Sequence, residues 1–183
     1  SGRIFLNGVE IKISNPRDAI RNRICLLAED RKKHGLVLNH TCRENFGLPN
    51  LKKYIRFLFL DKKKERNAFD SYVNYLKIKI SDHEAMVSSL SGGNQQKIVL
   101  AKWIESNSDI IIFDEPTRGI DVGAKYEIYL LINQLANEGK SIIIVSSELP
   151  ELLGMCNRII VMHEGYFKGE VSETSTITQE DIL

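Results

Sequence analysis

In the second half of the chain, short apolar runs alternate with longer stretches whose apolar residues recur every three or four positions. Ile110 to Phe113, Ser141 to Val145 and Arg158 to Met162 have the length and branched composition of buried strands. Between them, Val122 to Asn137 carries Ala124, Ile128, Leu131, Ile132 and Leu135 on one helical stripe, and Leu149 to Gly154 reads as a shorter helix. Strands and helices in alternation predict an α/β fold, a parallel sheet covered by helices. Glu164-Gly165 predicts a turn into a last strand, Tyr166 to Val171, and Thr178 with Asp181 predicts a helix cap.

The first half reads differently. Arg3 to Leu6 and Val9 to Ile13 flank Asn7-Gly8, whose tolerance of positive φ suits a hairpin turn. Asn15-Pro16-Arg17-Asp18 predicts a short helix with Asn15 as N-cap and Pro16 in the first helical position. Ile24 to Ala28 follows as a buried strand ending at Glu29-Asp30. From His40 to Ser88, mixed apolar and charged residues at helical spacing predict a helical lobe. Phe69, Tyr72, Val73 and Leu76 form its clearest stripe, and Tyr54, Phe57, Leu58 and Phe59 are expected in its core.

With 183 residues and 43% hydrophobic content, the chain can bury one sizeable core. Its net charge of +1, from 25 Lys and Arg against 24 Asp and Glu, gives no field for nucleic acid. Arg31-Lys32-Lys33 and Lys62-Lys63-Lys64 are then expected to be solvated surface. Cys25, Cys42 and Cys156 are odd in number and lack C-x-x-C spacing, which argues for a reducing compartment and inert thiols. The four histidines show no zinc-site spacing. No apolar run of about 18 residues occurs, so a membrane role would run through a partner.

Two motifs carry chemistry. In IIIFDEPTRGID, residues 110 to 121, four apolar residues cross the sheet and two carboxylates emerge at the strand's C-terminal end, where ligands of open α/β sheets bind. Asp114 is suited to hold Mg²⁺ and Glu115 to orient or deprotonate a water attacking a γ-phosphate. The plain alternative is an acidic strand-to-loop junction. In LSGGNQQK, residues 90 to 97, two glycines behind Ser91 expose amides at a helix N-terminus, where anions bind. Its plain alternative is a Ser-capped helix entry. The usual companion, GxxxxGK[ST], occurs nowhere in the sequence.

Together with AEDRKKHGLVL at 28 to 38, ENFGLPNL at 44 to 51, FDEPTRGIDVGAK at 113 to 125 and SSELPELLGM at 146 to 155, these motifs resemble the nucleotide-binding domains of ATP-binding cassette transporters. The resemblance is narrowest to the second such domain in the ATP-binding subunit of ribose-type monosaccharide importers. It implies a partial P-loop NTPase fold, with residues 1–39 and 97–183 as α/β core and 40–96 as a helical lobe ending in the signature motif. It also implies that Ser91, Gly92, Gly93 and Gln95 reach ATP held by the other domain of the subunit. Asp114 and Glu115 would serve this domain's own site, and Gly119 to Asp121 would touch the partner domain. Two departures stand out. Glu29 lies where many such domains have a glutamine sensing Mg²⁺ and water, and Ser147 lies at the switch-histidine position.

A serine cannot supply an imidazole donor, so the resemblance implies a weak or degenerate site here. Implied partners are membrane-embedded permease subunits, gripped by the lobe and the loop after Glu29, and indirectly a sugar-binding protein. The location would be peripheral, on the cytoplasmic face of the membrane. A P-loop strand and helix are expected ahead of residue 1, so the isolated chain is expected to hold ATP weakly and to be inactive. It is also expected either to rearrange its last strand or to pair with another copy. Two other readings compete: a regulatory pseudo-ATPase half, and the C-terminal lobe of a chromosome-associated ATPase. The latter follows a long heptad coiled coil, whereas residues 40–88 show no sustained heptad and contain Pro49.

Overall fold

The computed structural model of the protein describes residues 2–172. Asn7 and Gly8, at φ 50° and 79°, turn a hairpin of β1 (Ile4–Leu6) and β2 (Val9–Ile11), shorter than the predicted run to Ile13. α1 (Pro16–Arg21) is capped as expected: the Asn15 side chain accepts from the Asp18 N–H at 3.2 Å, and Asp18 accepts in return from the Ser14 N–H at 3.0 Å. The chain then enters β3 (Ile24–Leu27).

The lobe is built on α2 (Cys42–Gly47), opened by a capping box between Thr41 and Glu44. Asn45 is fully buried and ties the lobe's entry loop, accepting from the Val37 N–H and donating to the carbonyls of Val37, His40 and Thr41. After α3 (Leu51–Tyr54) comes an unpredicted hairpin, β4 (Ile55–Arg56) and β5 (Phe59–Leu60), and then α4 (Lys62–Tyr75) with Asp61 as N-cap. Rings of Phe46, Tyr54, Phe69 and Tyr72 pack at 5.3 to 6.4 Å. Of the four residues from Tyr54 to Phe59 expected in this core, only Tyr54 enters it. Phe57, Leu58 and Phe59 sit at the turn of the hairpin and stand in solvent. A two-residue connection leaves their side chains nothing to pack on.

α5 (Gly92–Glu105) lies between lobe and sheet and is buried around most of its circumference, touching α2, β3 and a later helix. Two of its lysines therefore need internal partners. Lys97 donates to Glu127 at 2.7 Å and to the Lys77 carbonyl, while Lys102 donates to the Gly35 carbonyl and lies 5.4 Å from the Trp103 ring. β6 (Ile110–Asp114) is the middle strand of a parallel sheet in the order β3-β6-β7. α6 (Val122–Asn137) buries Ile128, Ile132 and Leu135, three of the five stripe residues, and leads to β7 (Ser141–Val145).

α7 (Leu149–Met155) connects to β8 (Ile159–His163), which pairs only with β9 (Tyr166–Val171) in a separate antiparallel hairpin. The last strands thus do not take the outer edge of β7. Between β7 and β8 lies a cavity of about 800 Å³, lined by Ile142 to Ser146 on one side and Ile159, Ile160 and Met162 on the other. The cap expected at Thr178 and Asp181 falls outside the described residues. Cys25 and Cys42 are buried, and burial pushes both thiols up to about 11, which keeps them protonated and unreactive at neutral pH.

Candidate functional site

All three strands of the sheet run parallel, with Leu27 opposite Phe113 and Asp114 opposite Val145. The segments that leave their C-terminal ends, Glu29, Asp114-Glu115 and Ser147, therefore emerge on one edge of the sheet. β6 ends there because its carboxylate pair and the following Pro116 cannot continue a buried ladder. Glu115 adopts a left-handed backbone, φ 45°, which is uncommon outside glycine and asparagine. Its N–H still reaches the Val145 carbonyl at 2.9 Å, and its carboxylate accepts from the Ser147 N–H at 2.8 Å. Ser147 thus contributes its backbone to Glu115 while its exposed side chain makes no hydrogen bond to the described residues.

The signature segment forms the other half. Ser91 is the N-cap of α5 by backbone geometry, but its hydroxyl accepts from the Asn94 amide at 3.0 Å instead of capping a main-chain N–H. The first-turn amides keep no side-chain cap, the arrangement that attracts anions. Gly93 allows α5 to approach α6 closely, since a Cβ there would lie 2.7 Å from the Ala124 Cβ. Gly92 faces Arg31 and the Gly119 carbonyl, which would meet an added Cβ at 2.6 and 3.2 Å. Gln95, expected on the ligand side, instead turns inward. It is buried, donates to the Val87 carbonyl at 3.2 Å, and its own carbonyl oxygen has no partner among the described residues. Gln95 thus packs against the lobe, while Ser91 at the N-cap one turn earlier stays exposed.

Arg31 lies between the two halves and Arg118 braces the sheet edge, and charge patterning found neither. Arg31, expected in solvent with Lys32 and Lys33, is half-buried instead. It donates to the Arg118 carbonyl at 3.1 Å and the Gly119 carbonyl at 3.4 Å, and burial holds its guanidinium below the usual range. Asp30 explains the turn: it caps the short helical segment Arg31–Gly35 by accepting from the N–H groups of Lys32 and Lys33. Arg118 pairs with Glu29, and its N–H donates to the Glu115 carbonyl at 3.2 Å. Glu29, Asp30, Arg31, Lys32 and Arg118 line a cleft of about 280 Å³. Beyond it, Thr117 donates to Glu151 at 3.1 Å, and Asp121 caps α6 by accepting from the Ala124 N–H at 3.0 Å. No group of three or more His, Cys, Asp or Glu suited to a metal is gathered among the described residues.

A parallel sheet that brings an Asp-Glu pair to its C-terminal edge, beside the glycine end of a buried helix, defines a nucleotide-binding cassette. The ABC transporter family model matches residues 1–118, and the chain belongs to that family. Over all 183 residues it is 50% identical to the ribose import ATP-binding protein RbsA of a Bacillus cereus strain, and over 184 aligned residues 50% identical to that of Clostridium perfringens (strain 13 / Type A). All of this chain is covered in both comparisons, but it spans only 37% and 36% of those proteins' lengths.

Solved structures agree on the fold. A dimeric ATP-binding cassette in a post-hydrolysis state, bound to ADP and Pi, superposes with a TM-score of 0.76 at 20% identity, covering 94% of this chain and 73% of the other. A nucleotide-free cassette from an ABC transporter gives 0.79 at 18% identity, covering 94% and 70%. The match to the transporter family takes in β3, the lobe and α5, and the lobe's longest helix has 14 residues, so the coiled-coil ATPase reading falls. No helix among the described residues is long and apolar enough to cross a membrane.

Proposed function

We propose that the chain is the second nucleotide-binding domain of an ATP-binding subunit that powers import of a simple sugar. In this reading it offers the amides of Ser91, Gly92 and Gly93 to ATP held by the other domain, and Asp114 and Glu115 to its own site. Membrane-embedded permease subunits are its partners, with a sugar-binding protein acting through them at the cell membrane. The names of the relatives, ribose import ATP-binding proteins, support the substrate class.

The donors at the sheet edge fit Mg²⁺. This hard cation takes one or two protein carboxylates and completes its shell with water and phosphate oxygens. Asp114 is free to be such a ligand, while Glu29, paired with Arg118, has less charge to give. Bound Mg²⁺ would neutralise charge on the phosphates, and a positioned base such as Glu115 adds roughly 10²- to 10⁴-fold in rate. The sequence contains no GxxxxGK[ST] loop to cradle the phosphates, so the 183-residue chain alone should hold ATP weakly.

The observation that carries the finer reading is the bond from the Ser147 N–H to Glu115. It orients the carboxylate but supplies no cationic or imidazole donor for a γ-phosphate. Hydrolysis at this site is therefore weak, and the domain mainly completes its partner's site. In the intact subunit, Glu115→Gln should leave most ATPase activity in place. Near-total loss would mean that this site does the main chemistry.

A further inference from the structure

The lobe's hairpin ends in three apolar side chains that nothing covers. Phe57-Leu58 joins β4 to β5, and Phe57, Leu58 and Phe59 are 89%, 91% and 79% exposed. Leu48, Leu51, Ile55 and Leu60, close by in the sequence, are also exposed. Phe57 also holds a left-handed backbone, φ 57°. A tight turn favours glycine or asparagine at such a position, and water favours a polar residue. Phenylalanine is the wrong choice on both counts unless something receives the ring.

The electrostatics around the tip are equally one-sided. Residues 51–64 hold six Lys or Arg and a single acid, Asp61, in a chain whose total charge is only +1. Asp61 is already engaged, accepting from the Lys64 N–H as the cap of α4. Lys53 binds Glu105, and the Lys64 ammonium reaches the Lys53 carbonyl. The side chains of Lys52, Arg56, Lys62 and Lys63 are exposed and have no acidic partner among the described residues.

We propose that this hairpin inserts the Phe57-Leu58-Phe59 tip into the interfacial layer of an anionic lipid bilayer, with the surrounding cations resting on lipid phosphates. Aromatic and aliphatic side chains gain by entering the headgroup and upper acyl region, and basic segments are drawn to anionic leaflets. A turn this exposed projects from the surface. Its three apolar side chains are therefore presented outward, as entry into a fluid layer requires. The inference rests on the hairpin alone and stands apart from the nucleotide reading. It gives the chain a hold on the membrane that does not run through another protein.

The test is sedimentation of the 183-residue chain with vesicles of phosphatidylcholine, with or without phosphatidylglycerol. Anionic vesicles should bind at least about tenfold more chain than neutral ones, and raised salt should release it. Phe57→Ser with Leu58→Ser, or Lys62→Glu with Lys63→Glu, should each weaken binding by about tenfold, with no change in melting temperature because every site is exposed. Leu58→Trp provides an independent readout. Relative to the parent chain, whose only indole is Trp103, its added fluorescence should shift to the blue on anionic vesicles and be quenched by acyl-brominated lipid. Equal binding to both kinds of vesicle, or no loss in the tip variant, would overturn the proposal. So would a tip variant that binds vesicles normally but, in the intact subunit, no longer co-purifies with membrane-embedded subunits in detergent, since the tip would then be a protein contact.

Discussion

Removing Arg43 should destabilise the lobe far more than the loss of an ordinary ion pair. Its guanidinium bonds Glu65 inside the lobe and Glu84 at the rim, the latter at 2.8 and 3.1 Å. The three side chains are not equivalent: 8% of Arg43 and 1% of Glu65 are exposed, against 51% of Glu84. Glu84 can turn to water when Arg43 is removed, but Glu65 cannot. Its carboxylate packs against the bare face of Gly47, where a Cβ would overlap it. Arg43→Ala therefore strands a buried carboxylate, a change that costs ~3–5 kcal/mol.

For a domain of this size each kcal/mol moves the melting temperature by ~2–4 °C, so the variant should melt about 6–20 °C lower in a circular-dichroism scan. Adding Glu65→Gln removes the stranded charge and should restore at least half of the loss, a strongly non-additive cycle. The pH dependence has a defined sign. Burial raises the Glu65 carboxyl and Arg43 opposes the rise, so without Arg43 the folded chain binds a proton more readily than the unfolded one. The deficit of the variant should shrink as pH falls from about 7 toward about 5. A loss under ~1 kcal/mol, or additive effects of the two substitutions, would refute a buried pair whose partners depend on each other.

Gly92→Ala should lower ATP hydrolysis in the intact subunit with little effect on nucleotide affinity at this domain's own site, because the methyl group collides with Arg31 and the Gly119 carbonyl at the end of α5. Steady-state ATPase assays and nucleotide titration separate the two effects. Lys102 has its ammonium pushed down to about 8 by burial, from 10.5, so between those values the folded chain holds fewer protons than the unfolded one. Its stability should therefore rise with pH across that window relative to Lys102→Met, as read from urea midpoints at matched pH. Asn45→Leu leaves the part-buried Val37 N–H and several carbonyls without their side-chain partner, and urea unfolding should show a loss of ~1–3 kcal/mol.

The first helix and the central strand were legible in the sequence, whereas the capping box at Thr41 and Glu44 and the Asp61 cap were not read. Asn15 caps the helix that follows it, as read, and the apolar run before Asp114 is the middle strand with its carboxylates at the edge; Asp121, expected only to touch a partner domain, also caps α6. The hairpin at 55–60 was not legible. RFLFL carries no asparagine or glycine turn signal, and its hydrophobicity points to a core, so only the backbone reveals that Phe57 sits in a tight turn. Arg31 escapes the sequence for a related reason. In a run of three cations charge alone assigns all to water, whereas the Asp30 cap starts a turn that aims one of them inward. Gln95 shows the limit of motif reading: membership of a motif does not fix burial, and this side chain bonds the lobe's Val87 carbonyl while Ser91 stays exposed.

The outer edge of β7 has a further consequence, for the behaviour of the chain in a test tube. Its neighbour across the cavity, β8, pairs elsewhere, so among the described residues the amide groups along one side of Ser141–Val145 lack a strand partner, and Ile143 and Val145 stand half in solvent. An apolar edge of this kind recruits other edges, and long-term solubility is then limited by concentration and time instead of by unfolding. Ile143→Lys should extend the lifetime of concentrated solutions without raising the melting temperature, a separation of colloidal from conformational stability that light scattering can follow.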